Sequence, residues 1–150
     1  MSDTPQEPLE IFPLFMICVD ADQKNSRAFQ QACTRALKEK GRIGLFKTME
    51  VEEFQNWATV EDTMKQELRE QGEKDLWDIA GHIRDTYNLI PEFYIEEGHP
   101  IEALEKIAPT IHLTEVIVSI GKEDVADYMD VKRMKKASVP YIFVPEDSDK

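Results

Sequence analysis

Short apolar runs recur along this chain, and between them lie stretches in which apolar residues return every three or four positions. The first run is the most constraining. From Leu14 to Val19 every residue is apolar, which suits a strand buried on both faces of a parallel sheet. Behind it Phe29, Ala32, Cys33, Ala36 and Leu37 fall at helical spacing, with Asn25 or Ser26 placed to cap the start and Gly41 to stop the end. Ile43 to Thr48 reads as a second strand. Met49 to Trp57 reads as a loop mixing acids with Phe54 and Trp57, longer than is usual for such a connection. From about Val60 to Tyr87, Met64, Leu68, Leu76, Ile79, Ile83 and Tyr87 share one side of a single long amphipathic helix, with Gly72 as its weak point. A third strand, Phe93 to Ile95, is stopped by Gly98 and Pro100, and Ile101, Leu104 and Ile107 carry a short helix up to Pro109. Val116 to Ile120 is a fourth strand, Val125 to Lys136 a fourth helix, and Tyr141 to Val144 a fifth strand.

Strands that alternate with helices are parallel and joined by right-handed crossovers, so the expected fold class is α/β: three layers around an open, twisted, five-stranded parallel sheet. Its 150 residues make one domain's worth of chain, expected over residues 12–146, with a flexible tail at 1–11 and an acidic tail at 147–150. Ligands of such sheets sit at the carboxyl ends of the strands, near the topological switch point. The residues at those ends are Asp20 to Lys24, Thr48 and Met49, Gly98 to Pro100, and Ser119 to Asp124.

Composition narrows the partners. Thirty acids against eighteen Lys and Arg give a formal charge of −12, which repels nucleic-acid phosphates and anionic lipid at long range. No nucleic acid and no membrane is expected to bind. The longest apolar run, Ile11 to Val19, is broken by Pro13 and falls far short of a membrane span. The first ten residues carry Asp3, Glu7 and Glu10 without a basic segment before the apolar stretch, so no secretory signal is read and a cytoplasmic location is expected. Cys18 and Cys33 lack the number and spacing of a disulfide framework or a zinc site and read as reduced packing residues.

Asp20 and Asp22, closing the first strand, are the sharpest chemical feature. Two carboxylates at that spacing can hold a magnesium ion or serve phosphate transfer, as in a phosphohydrolase with an Asp nucleophile, or they can cap a turn ahead of the helix. A phosphorylated receiver needs Asp after the third strand and Lys after the fifth, where this chain has Glu96 and Glu97, and Val144 and Pro145. No Walker pattern and no Gly-x-Gly-x-x-Gly occurs. His82, His99 and His112 have no metal-binding spacing, and no metal ligand or catalytic residue is assigned. His99, the one histidine at a strand end, reads as a surface turn residue ahead of a ligand contact, and Trp57 and Trp77 as core or interface anchors. Lys132, Arg133, Lys135 and Lys136 form a basic cluster at the end of a helix, where cations are favoured.

Several local strings, in order, resemble the universal stress protein A superfamily, and most closely its proteobacterial members with a long second helix. They are Ile17-Cys18-Val19-Asp20 followed by Asn25-Ser26-Arg27-Ala28, Gly41-Arg42, Phe54-Gln55-x-Trp57 with Val60-Glu61-Asp62, Glu97-Gly98-His99-Pro100, Val116-Ile117-Val118-Ser119-Ile120-Gly121, and Val139-Pro140-Tyr141-Ile142-Phe143-Val144-Pro145. The resemblance covers about residues 12 to 146. It implies a sheet of strand order 3-2-1-4-5 and a homodimer built through the last strand, residues Tyr141, Ile142, Phe143 and Val144. Burial of that strand also removes an apolar sheet edge from water.

ATP-binding members of the family carry Gly-x2-Gly-x9-Gly-Ser/Thr after the fourth strand. Here Gly121 stands alone at the first position, Asp124 replaces the second glycine, and, counted back from Pro140, the closing pair falls at Asp127 and Tyr128. A triphosphate would meet Glu123, Asp124 and Asp127, and each like-charge contact at about 4 Å costs about 4 kcal/mol at an effective dielectric near 20. Tight ATP binding is therefore not expected, and no cofactor is. By the resemblance, Asp20 lies where the family holds adenine. The residues assigned to any ligand contact are Asp20, Asp22, Thr48, Gly121 and Lys122. The expected function is that of a non-enzymatic, dimeric universal-stress-type protein that acts through protein contacts, with other proteins as further partners, in a stress or metabolic response. One alternative is an adenine-nucleotide switch (ATP or AMP) that binds weakly through a rearranged loop, and the other a magnesium phosphohydrolase built on Asp20 and Asp22.

Overall fold

The structure is a computed structural model that describes residues 12–19, 27–49, 58–121 and 125–146. Its five strands are β1 (Leu14–Cys18), β2 (Arg42–Met49), β3 (Glu92–Glu97), β4 (Leu113–Ser119) and β5 (Tyr141–Val144). All pairings are parallel, and the order across the sheet is β3-β2-β1-β4-β5. The all-apolar run is thus the central strand, and all five residues of β1 are buried.

Alternation along β1 divides the core in two. Phe15, Ile17 and Val19 face one layer, made by α1 (Arg27–Glu39) through Phe29 and Cys33 and by α2 (Ala58–Tyr87) through Leu76, Ile79 and Ile83. Leu14, Met16 and Cys18 face the other, made by α3 (Pro100–Ile111) through Ile101 and Leu104, with Met134 of the four-residue α4 (Val131–Met134) packed at its margin. A strand covered on both sides has no polar positions, which is why its sequence does not alternate. The long helix read between residues 60 and 87 is a single helix of 30 residues.

Five readings need correction. Leu37 is 51% exposed, because the buried stripe of α1 (Ala28, Phe29, Ala32, Cys33, Ala36) ends one position short of it. Trp77, read as a core or interface anchor, is 67% exposed, so only the core half of that reading is overturned, and its ring stands edge-on to Phe93 at 5.1 Å. Gly41 does not itself turn left-handed: Lys40 does, at φ 55, while the Gly41 amide donates to the Ala36 carbonyl at 2.7 Å. Gly41 is required instead by close approach, since a Cβ there would lie 2.8 Å from the Pro13 oxygen. Pro109 does not end α3. The helix runs on to Ile111 and turns off at His112, φ 57 and ψ 49, so the donor that Pro109 lacks is lost within the last turn, at an exposed position.

The last correction bears on function. The segment from Val125 to Lys136 is not one helix but a 3-10 turn, Val125–Tyr128, followed by α4. Asp130 separates the two. It adopts extended backbone (φ −88, ψ 101), and its carboxylate accepts from the Arg133 amide, the cap that starts α4. Arg133 in turn pairs with Asp130 at 2.6 Å and with Glu102 of α3 at 2.7 Å, so part of the basic cluster ties α4 to α3. The expected tails 1–11 and 147–150, Asn25, Ser26 and residues 50–57 lie outside the described residues, whereas Met49 belongs to β2. Among the described residues no helix is long and apolar enough to cross a membrane.

Candidate functional site

The carboxyl ends of the strands form one rim: Cys18 and Val19, Thr48 and Met49, Glu96 and Glu97, Ser119 to Gly121, and Val144 to Glu146. The strand order reverses between β1 and β4, so the crevice beside those two strands is where a sheet of this kind accepts a ligand. Val19 is held there by a bond from its amide to the Phe46 carbonyl at 3.0 Å.

Of the five ligand residues assigned from sequence, Asp20, Asp22 and Lys122 lie outside the described residues, and two can be placed. Thr48 stands beside Glu96 in the β2–β3 register and is half-buried. Its neighbour Lys47 reaches Asp75 of α2 at 3.9 Å, so by alternation the Thr48 side chain is on the α3 face. Gly121 follows β4, and its amide donates to Ser119 Oγ at 3.2 Å. Ser119 is fully buried. Thr48 and Gly121 therefore flank β1 on opposite sides, about two strand spacings or roughly 10 Å apart. They do not converge on one point.

One residue bound at this rim was not singled out from sequence. Glu146, two positions beyond β5, bends back over the start of α1. Its Oε1 accepts from the Arg27 amide at 2.7 Å and its Oε2 from the Ala28 amide at 3.3 Å, while Arg27 Nη1 donates to the Pro145 carbonyl at 3.3 Å. The first amides of a helix have no partner within it, and the first turn of α1 contains no acid. The carboxylate comes from 119 residues away. It also presses on the β4 end, since a Cβ on Gly121 would lie 3.1 Å from Glu146 Cγ. The available signal was an acid just past the last strand together with a helix start that lacks one.

On the α3 side of the rim, Tyr128 is 1% exposed and packs in the second core cluster. The start of α4 that follows is capped by Asp130, whose carboxyl is held below the usual range by the Arg133 amide and then by the Arg133 guanidinium. His99 also has a role that its position alone did not reveal: its Nδ1 accepts from the Ile101 amide at 3.2 Å and caps α3. Gly98, at φ 100, makes the turn into it.

Burial pushes the Cys33 thiol up to about 12, and Cys18 and Cys33 are both buried without a disulfide. Tyr94 is raised to about 12, by burial and then by its hydrogen bond to Glu92 at 2.6 Å. Tyr141 is raised further, by burial first and then by the charges of Cys18 and Glu105. Among the described residues no three His, Cys, Asp or Glu side chains stand together as a metal site.

β5 is the outer strand on its side of the sheet. The carbonyls of Pro140 and Val144 accept from the amides of Val116 in β4 and Ile120 just beyond it at 3.0 and 2.9 Å, so the backbone groups of Tyr141 and Phe143 point outward. Beside it, Arg27, Gln30, Gln31, Thr34, Arg35 and Lys38 of α1 line a groove of about 510 Å³. A second groove, about 610 Å³, lies between α2 and the start of β3 and is lined by Trp77, Ile90 and Phe93.

Neither a protein-family model nor a curated protein sequence matches the chain. Solved structures do match. The universal stress protein UspA from Lactobacillus plantarum shares 12% identity at a TM-score of 0.68, covering 91% of this chain and 99% of that one. The universal stress protein from Archaeoglobus fulgidus in complex with dAMP shares 15% identity at 0.62, over 90% and 99%. A universal stress protein in complex with cAMP shares 12% identity at 0.58, over 92% and 100%. The fold is that of the universal stress proteins, in strand order as well as in layers.

Proposed function

We propose that this protein is a non-enzymatic regulator of the universal stress type that works as a homodimer through β5 and does not hold ATP tightly. The observation that carries the reading is the outer edge of β5: four residues without a charge, at the side of a chain of formal charge −12, with the backbone groups of Tyr141 and Phe143 directed outward. An edge of that kind pairs or aggregates unless it is covered, and pairing with a second copy about a two-fold axis covers both edges at once. The weakness toward ATP is supported by Tyr128, Asp130 and Glu146. A phosphate brought within about 4 Å of the Glu146 carboxylate meets about 4 kcal/mol of repulsion at an effective dielectric near 20.

Sedimentation equilibrium tests the dimer. A mass of twice 17.4 kDa is expected for the wild type. Phe143→Pro, which removes an outward amide and leaves the β4 ladder its donors, is expected to return it to one copy, with far-ultraviolet circular dichroism confirming the fold. A wild type that stays at 17.4 kDa at about 100 µM, which would put any dimer dissociation constant well above that of a stable pair, refutes the reading. A second reading, a weak adenine-nucleotide switch, is supported by the neighbours bound to cAMP and dAMP. Ligand at about 100 times its dissociation constant stabilises by about 2.7 kcal/mol, so a flat melting temperature with ATP, AMP and cAMP removes it.

A further inference from the structure

The sheet has a second edge, at β3, and it is only half covered. Among the described residues β3 pairs with β2 alone. The Phe46 carbonyl accepts from Val19, so Phe46 turns its backbone toward β1 and, by alternation, Leu45 and Lys47 turn theirs toward β3. Their register partners there are Phe93 and Ile95, and in a parallel ladder the bonds are made by the residues on either side of those partners, Glu92, Tyr94 and Glu96. Phe93 and Ile95 therefore direct their amides and carbonyls outward. Arg69 of α2 covers Ile95, its Nη2 donating to the Ile95 carbonyl at 3.4 Å, and Lys65 reaches Glu97 at 3.5 Å. Among the described residues no side chain is bonded to the Phe93 backbone. Beside Phe93 lies the groove of about 610 Å³ between α2 and β3, where Trp77 and Ile90 are 67% and 82% exposed.

We propose that the open half of β3 and the groove beside it form a docking surface for an extended, basic peptide segment of another protein, added to the sheet as an antiparallel strand opposite Phe93. In such a pair the two facing residues exchange both backbone bonds and share one face. An apolar residue opposite Phe93 thus enters the groove with Trp77 and Ile90, and its two neighbours fall on the face of Glu92 and Glu96. The sign of the partner follows from the walls. From Glu70 to Tyr87 α2 carries five acids against two bases, and β3 carries three acids and no base. Asp75, Glu92 and Glu97 are answered by Lys47, Arg42 and Lys65, and Asp85 by Arg84. That leaves Glu70, Glu73, Asp78 and Glu96 against Lys74. The chain as a whole, at a formal charge of −12, draws a cationic segment in the same sense at longer range. A second copy brings the same acids to the same place and is opposed by them. The surface is separate from the proposed dimer contact, because β5 lies at the other side of the sheet.

The test uses the full chain with two synthetic peptides, Lys-Val-Lys-Leu-Lys-Val-Lys and its acidic counterpart Glu-Val-Glu-Leu-Glu-Val-Glu, followed by calorimetry and by the nuclear magnetic resonance signals of the Phe93 amide and the Trp77 indole N–H. The basic peptide is expected to bind with a dissociation constant of about 100 µM or tighter and to shift both signals, and the acidic one to bind at least about tenfold more weakly. Trp77→Ala and Ile90→Ser, both at exposed positions, are each expected to weaken the basic peptide by about fivefold or more with the far-ultraviolet circular dichroism unchanged. N-methylation of the central leucine, which removes the donor to the Phe93 carbonyl, is expected to weaken it by a similar factor. No binding at about 1 mM peptide overturns the proposal, as does binding that shifts Tyr141 and Phe143 in place of Phe93. Equal affinity for the two peptides overturns the basic partner, and an N-methylated peptide that binds as well as its parent overturns strand addition. Phe93 and Trp77 signals that move with protein concentration when no peptide is present give the groove to a second copy and overturn the foreign partner.

Discussion

Alanine at Gly72 and Gly81 is expected to stabilise the protein, and the amount can be worked from the packing. Both glycines sit inside the 30 residues of α2, where Gly costs roughly 1 kcal/mol relative to Ala. At Gly72, which is buried, a Cβ would lie 3.6 Å from Ile95 Cδ1 and 3.6 Å from Lys47 Cδ, ordinary contact distances, so the helix gain is not lost to a clash. The methyl also leaves water, worth up to about 0.8 kcal/mol. At Gly81 a Cβ meets nothing within 4 Å, so only the helix preference remains. The expected gains are thus about 1–2 kcal/mol for Gly72→Ala and about 1 kcal/mol for Gly81→Ala. The sites are nine residues apart, about 13 Å along the axis, and should add. Urea unfolding at constant m-value measures the sum, which corresponds to roughly 4–10 °C in melting temperature for a chain of this size. Gly44→Ala is the internal contrast, because its Cβ would lie 2.7 Å from Met16 Sδ and 3.2 Å from Tyr94 Cε2. It is expected to cost about 1–3 kcal/mol. A loss of stability in Gly72→Ala would refute the reasoning, since it would mean that α2 is broken there and not continuous.

Two further outcomes follow from single groups. His99→Ala removes the acceptor for the Ile101 amide at the start of α3 and is expected to cost about 1 kcal/mol in urea, with Asn or Ser at the same position restoring most of it; an unchanged midpoint would show that the cap contributes nothing. In alkali, the unfolded Cys33 thiol ionises near its ordinary 9.0 while the folded one holds its proton to about 12. The folded state therefore binds more protons through that window, and stability falls as pH rises from 9 toward 12, by up to about 1.4 kcal/mol per pH unit for this group. Cys33→Ala should flatten the slope between pH 9 and 10 even though it lowers stability at pH 7, and parallel wild-type and variant curves would count against the buried thiol as a cause.

The elements that were legible in the sequence are those whose signal is local and periodic. β1 was readable because burial on two faces forces an unbroken apolar run, and α2 because Leu76, Ile79 and Ile83 repeat at the spacing of one helix face. The segment from Val125 to Lys136 shows the limit of that signal. A 3-10 turn and a short helix place apolar residues three apart much as one longer helix does, and only the capping role of Asp130 separates them. Trp77 was placed in the core or an interface because large aromatics usually are, and it is the position of the β3 edge, not anything nearby in sequence, that leaves it outside the core. Half of the candidate site was hidden for the same reason. Thr48 and Gly121 could be named from strand ends alone, but that they stand on either side of β1 depends on the order of the sheet. For Glu146 the sequence offered an acid just past the last strand and a helix start without one, but pairing the two required knowing that the end of β5 returns to the start of α1.

Glu146 also explains how so short an edge strand is held in one orientation. β5 has four residues and, among the described residues, pairs with β4 alone. A strand of that length frays easily at its end. Here the last residue of β5 accepts from the Ile120 amide, and just beyond it the Pro145 carbonyl and the Glu146 carboxylate are both bonded to α1. The carboxylate bonded to the start of α1 is thus the anchor of the strand proposed to pair with a second copy. The two roles remain distinguishable, because the outward amide of Phe143 takes no part in the bonds to α1. A change in association caused at Phe143 reports on the edge alone, and a loss of amide protection at Ala28 in Glu146→Ala, with the mass unchanged, reports on the anchor alone.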